Sequence, residues 1–176
     1  MSFSSDVKKE LCRGEVTRTC CAVAECYGAL LYCNTFRTNE IKLVTASREV
    51  TSRLPKLVKS AFGLEFDRIA DGGEGGKGVL QITDREKLTK IFDAFGGDID
   101  NTPVHHVNFA MLEDQCCRVS FLRGAFLAGG SVTDPEKRYH MELVTSHYNV
   151  SRETYALLLE LGFEPQEPVR SGNRVM

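Results

Sequence analysis

An internal repeat limits what this chain can fold into more than any other feature of its sequence. Residues 20–33 read CCAVAECYGALLYC and residues 116–131 read CCRVSFLRGAFLAGGS. At an offset of 96, Cys20-Cys21 falls on Cys116-Cys117, Val23 on Val119, Gly28-Ala29 on Gly124-Ala125 and Leu31 on Leu127. Further on, Leu43-Val44-Thr45 matches Leu143-Val144-Thr145 at an offset of 100, and Gly63 matches Gly162 at 99. A longer turn in the second copy, Thr133 to Arg138, accounts for the drift. Two copies are too few for a solenoid. They suit a pseudo-dimer in one chain, with the matching helices packed about a pseudo-two-fold axis.

The repeated helices carry small residues where a partner backbone would approach. Gly28, Ala29, Gly124 and Ala125 are therefore expected to form the helix–helix interface. The organisation that follows is an arm over 1–18, a first half over 19–98, a linker over 99–113 and a second half over 114–176. At 176 residues and 42% hydrophobic content, the chain is long enough for two small intertwined halves with a shared core. No apolar run approaches the length of a membrane span. The opening Met-Ser-Phe-Ser-Ser-Asp has neither the basic nor the apolar region of a signal peptide. A cytoplasmic protein is expected, with its seven cysteines mostly reduced. A net charge of −2 argues against a uniformly basic nucleic-acid module, although one face can still be basic.

Taken in order, residues 4–13 form a short helix capped by Ser4 or Ser5, with Val7 and Leu11 on one face. Its role is a packed arm or, alternatively, a DNA-contacting one. The first repeat helix, about 19–33, is capped by Thr17 or Thr19, and its broad apolar surface predicts burial. A strand follows over 41–46, with Ile41, Leu43 and Thr45 on one face and Lys42, Val44 and Ala46 on the other. Helix 48–62 points Leu54, Leu57, Val58 and Ala61 inward, and Pro55 marks its first turn or a kink. Strands 64–70 and 77–83 flank the glycine-rich loop 71–78. That loop lacks the G-x-x-x-x-G-K-[ST] pattern and a following helix, so it reads as a hairpin tip. Thr83 and Glu86 have capping-box spacing and open a helix to about Phe95. His105-His106, in the linker, has no ligand-spaced partner and reads as structural or solvent-facing. The second half repeats the plan: helix 114–129; a strand over 139–146 with Met141, Leu143 and Thr145 inward; and helix 149–161 capped by Asn149 or Ser151. Two strands, 163–169 and 174–176, close it. The first copy then continues into a helix that the second lacks, which leads to the expectation of a truncated second repeat.

Leu122-Arg123-Gly124-Ala125-Phe126-Leu127-Ala128-Gly129-Gly130-Ser131 resembles the decapeptide of the LAGLIDADG homing endonucleases, with the terminal Gly-Ser intact. With the opening Met1-Ser2-Phe3-Ser4-Ser5, Lys8-Lys9-Glu10-Leu11, the two Cys-Cys pairs, Val132 and Pro135, the whole chain resembles the N-terminal region of the WhiA family. The resemblance implies an α+β fold of two pseudo-symmetric αββαββα-like halves whose sheets form a saddle able to straddle DNA. The strands read from the sequence fall one short per half, so an unread strand is expected between 34 and 41 or between 131 and 139. The resemblance further implies a DNA-binding transcription regulator of sporulation and cell division, nucleoid-associated, with a C-terminal helix-turn-helix that this sequence does not contain.

A nuclease of this fold needs an acidic residue at the end of each central helix to hold a divalent metal. The register places Cys33 and Gly129 there, and Leu127 in the motif's other acidic slot. Hard cations want carboxylate oxygens, so the expectation is a catalytically inactive scaffold with no cofactor and no small-molecule substrate. DNA would meet the outward strand positions, with Arg37, Lys42, Arg138 and His140 as the contacts and Val44, Glu142 and Val144 beside them. A protein-interaction scaffold without DNA binding is the alternative, and an active endonuclease a further one. Cys20, Cys21, Cys116 and Cys117 begin at one end of the helix pair, where lowered thiol pKa values and a structural zinc or redox pair are conceivable. Consecutive helical residues diverge by about 100°, so at most one cysteine of each pair is expected to face the axis, and small buried residues are the simpler expectation.

Overall fold

A computed structural model describes residues 2–101, 105–166, 169–170 and 173–175 of the chain. The first half runs α2 (Thr19–Leu31), β1 (Thr35–Arg37), β2 (Glu40–Thr45), α3 (Arg48–Phe62), β3 (Arg68–Ala70), β4 (Gly78–Ile82) and α4 (Arg85–Ala94). The second runs α5 (Gln115–Gly129), β5 (Gly130–Val132), β6 (Met141–Thr145), α6 (Tyr148–Glu160), β7 (Val169–Arg170) and β8 (Asn173–Val175). An N-terminal helix, α1 (Phe3–Leu11), precedes both, and a 3-10 turn over Phe109–Leu112 leads into α5. Where a strand is expected between 34 and 41 or between 131 and 139, both places hold one, the short edge strands β1 and β5. Both sheets are antiparallel and have the same order, β1-β2-β4-β3 and β5-β6-β8-β7. The fold is α+β with two pseudo-symmetric halves.

Helices α2 and α5 pack against each other at the centre. A methyl group at Gly28 would lie 2.0 Å from the Phe121 carbonyl oxygen and 2.9 Å from the Ala125 nitrogen. At Gly124 it would lie 2.0 Å from the Glu25 carbonyl oxygen and 2.8 Å from the Ala29 nitrogen. The two contacts exchange under the offset of 96, so each glycine receives the backbone turn that its counterpart's helix presents. Gly28, Ala29, Gly124 and Ala125 are all buried, as the interface expectation required.

The core runs through both halves. Tyr27 and Phe121 lie edge to face at 5.6 Å, and Tyr27 reaches Phe95 at 4.3 Å. Among the described residues, one charged group is buried in this core. Glu25 is fully buried and takes a two-pronged bond from Arg53 of α3, Nε to Oε1 at 2.8 Å and Nη2 to Oε2 at 3.0 Å. The same guanidinium donates from Nη1 to the carbonyls of Cys12 and Gly14, tying the α1–α2 connection to the first half. Helix α1 reaches the second half as well: Ser4 Oγ accepts from the Val132 nitrogen of β5, and Lys8 lies over the Phe126 ring. The arm is packed across both halves.

Several helix starts differ from expectation. Ser2, not Ser4 or Ser5, caps α1, accepting from the Ser5 nitrogen. Helix α2 starts at Arg18 with no side-chain cap, so neither Thr17 nor Thr19 serves. Asp84, one residue past Thr83, caps α4, its Oδ1 accepting from the Lys87 nitrogen, and the Thr83 and Asp84 nitrogens both donate to Asp67. Helix α6 starts at His147 with no side-chain cap, ahead of both Asn149 and Ser151. Pro55 lies in the interior of α3. The 71–78 loop is a hairpin tip with Gly73 and Gly75 at positive φ, and a strand rather than a helix follows it. Met141 is half exposed although Leu143 and Thr145 on the same face are buried, because it pairs with Val132 at the end of the short edge strand β5. Of the expected strand 163–169, Phe163 to Gln166 is irregular, residues 167–168 lie outside the described residues, and Val169 opens β7.

Candidate functional site

Three places follow from the residues singled out in the sequence: the far ends of the central helices, the outer faces of the sheets, and the near ends of the same helices.

At the far ends, Cys33 and Gly129 occupy the positions where a metal-dependent nuclease of this fold needs carboxylates. The Cys33 thiol is engaged with two carbonyls, Leu30 and Thr35, each at 3.0 Å. Burial pushes this thiol up to about 12, against the lowering effect of its backbone hydrogen bonds. Gly129 has no room for a side chain. A Cβ there would lie 2.7 Å from the Val144 carbonyl oxygen and 3.0 Å from that of Tyr32. Leu127 is buried. A protonated thiol and a filled glycine cradle do not fit a hard divalent cation, which requires anionic oxygen donors.

On the outer face of the first sheet, register lines up Thr35, Lys42, Gln81 and Arg68 across all four strands. The next row is Val44, Val79 and Ala70. Arg37 is exposed and pairs across with Glu40, whose carboxylate is engaged by the Gln81 amide. The face thus offers Arg37, Lys42 and Arg68, with Glu40 among them. Arg68 was not among the expected contacts. Its place in the same row as Lys42, across Gln81, comes from β4 lying between β2 and β3, an order that the sequence does not state. On the second sheet, Arg138 is exposed in the turn before β6, but His140 Nε2 lies 2.7 Å from Glu142 Oε1. Among the described side chains, Arg37, Lys42 and Arg68 lie on the first sheet, and Arg138 and the His140–Glu142 pair on the second.

The linker histidines, which read as partnerless, each find a partner in the fold. His105 packs on Phe36 at 4.7 Å and on His147 at 4.5 Å. His106 Nδ1 lies 2.7 Å from Glu153 Oε1, and the Val107 nitrogen donates to Glu153 Oε2. Tyr27 holds the same segment, donating to the His106 carbonyl at 2.6 Å and accepting from the Asn108 nitrogen at 2.7 Å. Both imidazoles of the His105–His147 pair are held neutral, mainly by burial, His147 down to about 4.

At the near ends, the structure corrects the expectations that at most one cysteine of each pair faces the axis and that the four are simply small buried residues. All four sulfurs, Cys20, Cys21, Cys116 and Cys117, lie within 4.8 Å of one another. Only Cys117 is buried, and Cys20 is exposed. Two adjacent residues on one helix converge because both pairs lie in a first turn, where two helix ends meet across the axis. Arg18 donates from Nη1 to the Cys116 sulfur at 3.3 Å. The Cys20 thiol is lowered chiefly by a hydrogen bond from Cys117, while burial pushes Cys117 up to about 12. Among the described residues, this is the one group of three or more metal-ligand side chains close enough to share an ion.

Residues 118–175 match the family model described as the WhiA LAGLIDADG-like domain. Of similar curated proteins, the probable cell division protein WhiA of Ruminiclostridium cellulolyticum is 34% identical over 91% of this chain and 53% of its own length. That of Alkaliphilus oremlandii is 32% identical over 100% of this chain and 59% of its own length. The N-terminal LAGLIDADG domain of DUF199/WhiA superposes with a TM-score of 0.74 at 19% identity, covering 99% of this chain and 83% of that one. The chain carries the WhiA-type LAGLIDADG domain. The homing endonuclease I-DmoI, solved with DNA and Mn, shares the fold at a TM-score of 0.60 and 11% identity, covering 90% of this chain and 89% of its own. The WhiA-type chain thus spans little more than half the length of the curated WhiA relatives. Among its described residues no helix is long and apolar enough to cross a membrane.

Proposed function

We propose that this WhiA-type domain is a non-cleaving DNA-binding element of a regulator of cell division and sporulation, working at the nucleoid. The observation that carries the reading is the state of the two far helix ends. The glycine contacts that pack the helices are intact, while Cys33 and Gly129 can present no carboxylate to a metal. DNA contact runs along the outer row of Lys42 and Arg68, with Arg37 and Arg138 at the turns. Such contacts are to phosphates and position the domain without reading sequence. I-DmoI, of the same fold, was solved with DNA bound.

A scaffold that binds protein rather than DNA is the second reading. It is favoured by Glu40 and by the His140–Glu142 pair, which weaken the positive field of the saddle. Titrating the purified chain with duplex DNA across a salt series, with and without Mg²⁺, separates the readings. Binding that weakens steeply with salt, without strand scission, is expected. No binding at low salt would favour the protein scaffold. Mg²⁺-dependent cleavage would overturn the assignment of Cys33 and Gly129.

A further inference from the structure

We infer that Cys20, Cys21, Cys116 and Cys117 form a tetrathiolate site for a single zinc ion that pins the first turns of α2 and α5 across the pseudo-two-fold axis. Zinc bound by four cysteines has metal–sulfur distances of about 2.3 Å, which sets sulfur–sulfur edges of about 3.8 Å in a tetrahedron. Four sulfurs already gathered within 4.8 Å of one another need only a small inward closure to reach that geometry. Side-chain rotation of the exposed Cys20 and the half-buried Cys21 and Cys116 suffices, around a buried and fixed Cys117.

The charge balance also suits a metal-thiolate centre. Four thiolates around Zn²⁺ carry a net charge of −2. Neither α2 nor α5 has a side-chain cap, so both positive helix ends face the sulfurs without a capping oxygen. Arg18 is already bonded to Cys116. Binding deprotonates the thiols outright, including the high-pKa Cys117, and releases those protons to solvent. A disulfide accounts for the cluster less well. It would use two of the four sulfurs, and adjacent cysteines in one helical turn are too close at Cα for the usual bridge geometry. All four are free thiols here.

The ion would lie at the opposite end of the central helices from Cys33 and Gly129, about 18 Å along α2. There it fixes the angle between the halves, and with it the relative setting of the two sheets. This does not depend on DNA binding, and its test reads metal and thiols alone.

The test is metal analysis of the full chain purified without added metal, followed by replacement with Co²⁺. About one zinc per chain, and intense sulfur-to-cobalt charge-transfer absorption of a tetrathiolate, are expected. Cys20→Ser, at the most exposed ligand, should weaken Co²⁺ binding by at least about tenfold, the lower end of what loss of a mere supporting residue costs. Cys12→Ser, outside the cluster, should leave it unchanged. Because the wild-type metal content and spectrum stand alone, a poorly folding variant does not blunt the test. Metal-free protein with four readily titrated thiols at these positions would overturn the inference. So would a Cys20–Cys117 or Cys21–Cys116 disulfide found after alkylation at lysis.

Discussion

Gly28 and Gly124 each lie against a carbonyl of the opposite helix, so neither tolerates a methyl without helix separation. Gly28→Ala and Gly124→Ala are each expected to lower unfolding free energy by about 1–3 kcal/mol, as overpacking does. The double variant should cost less than the sum, because one separation of the helices relieves both clashes. Urea denaturation of the three variants checks this. Arg53 poses the opposite problem, a loss rather than an excess. Glu25 has no exposure, and Arg53 supplies both of its side-chain hydrogen bonds. Arg53→Met should destabilise by about 3–5 kcal/mol by leaving a buried carboxylate without its partner. Adding Glu25→Gln should recover a substantial part, which the same denaturation curves would show.

Among the elements, α6 differs from its counterpart α3 at its start. Helix α3 starts at Ser47, whose Oγ accepts from the Val50 nitrogen. Helix α6 starts at His147, which caps nothing and stacks edge-on against His105. A proton on His147 would face burial, the nearby His105 and Arg37, and the positive end of α6. Its folded-state pKa of about 4 lies below the ordinary 6.5, so the unfolded chain binds the extra proton first. The resulting stability is fully present above about pH 6.5 and is lost as pH falls towards 4. His147→Asn should flatten this part of the stability–pH curve relative to wild type. Thermal unfolding from pH 7.5 to 4 measures the difference. Carboxylates that also titrate at the acid end, such as Asp67, are common to both proteins and cancel.

For the molecule as a whole, the two halves share a topology, and the described cationic row lies on the first sheet. If the first sheet carries the phosphate contacts, Lys42→Glu and Arg68→Glu should each weaken DNA binding at all sequences alike. Each should also reduce the salt slope by about 1. His140→Ala should change neither, because its imidazole already lies against Glu142. Fluorescence anisotropy over a salt series checks all three. Equal losses from His140→Ala and Lys42→Glu would mean that the halves contribute equally.

Much of this was legible in the chain order. The repeat gave the pseudo-dimer, the helix pair and its glycines, because backbone contact across an axis leaves small residues at matching positions. Cys33 and Gly129 were readable as unfit for a metal, because residue type alone excludes carboxylate chemistry. Strand alternation placed Ile41, Leu43 and Lys42 on their faces. Tertiary structure decided the rest. Arg68 joins Lys42 only because β4 lies between β2 and β3, and sheet order is not a local property. Helix starts moved by a residue or more, as at α4, where Asp84 rather than Thr83 caps. The linker histidines found Glu153 and His147 some 40 or more residues away. The four cysteines diverge when each helix is read alone, and they converge because two first turns meet at the same point across the axis.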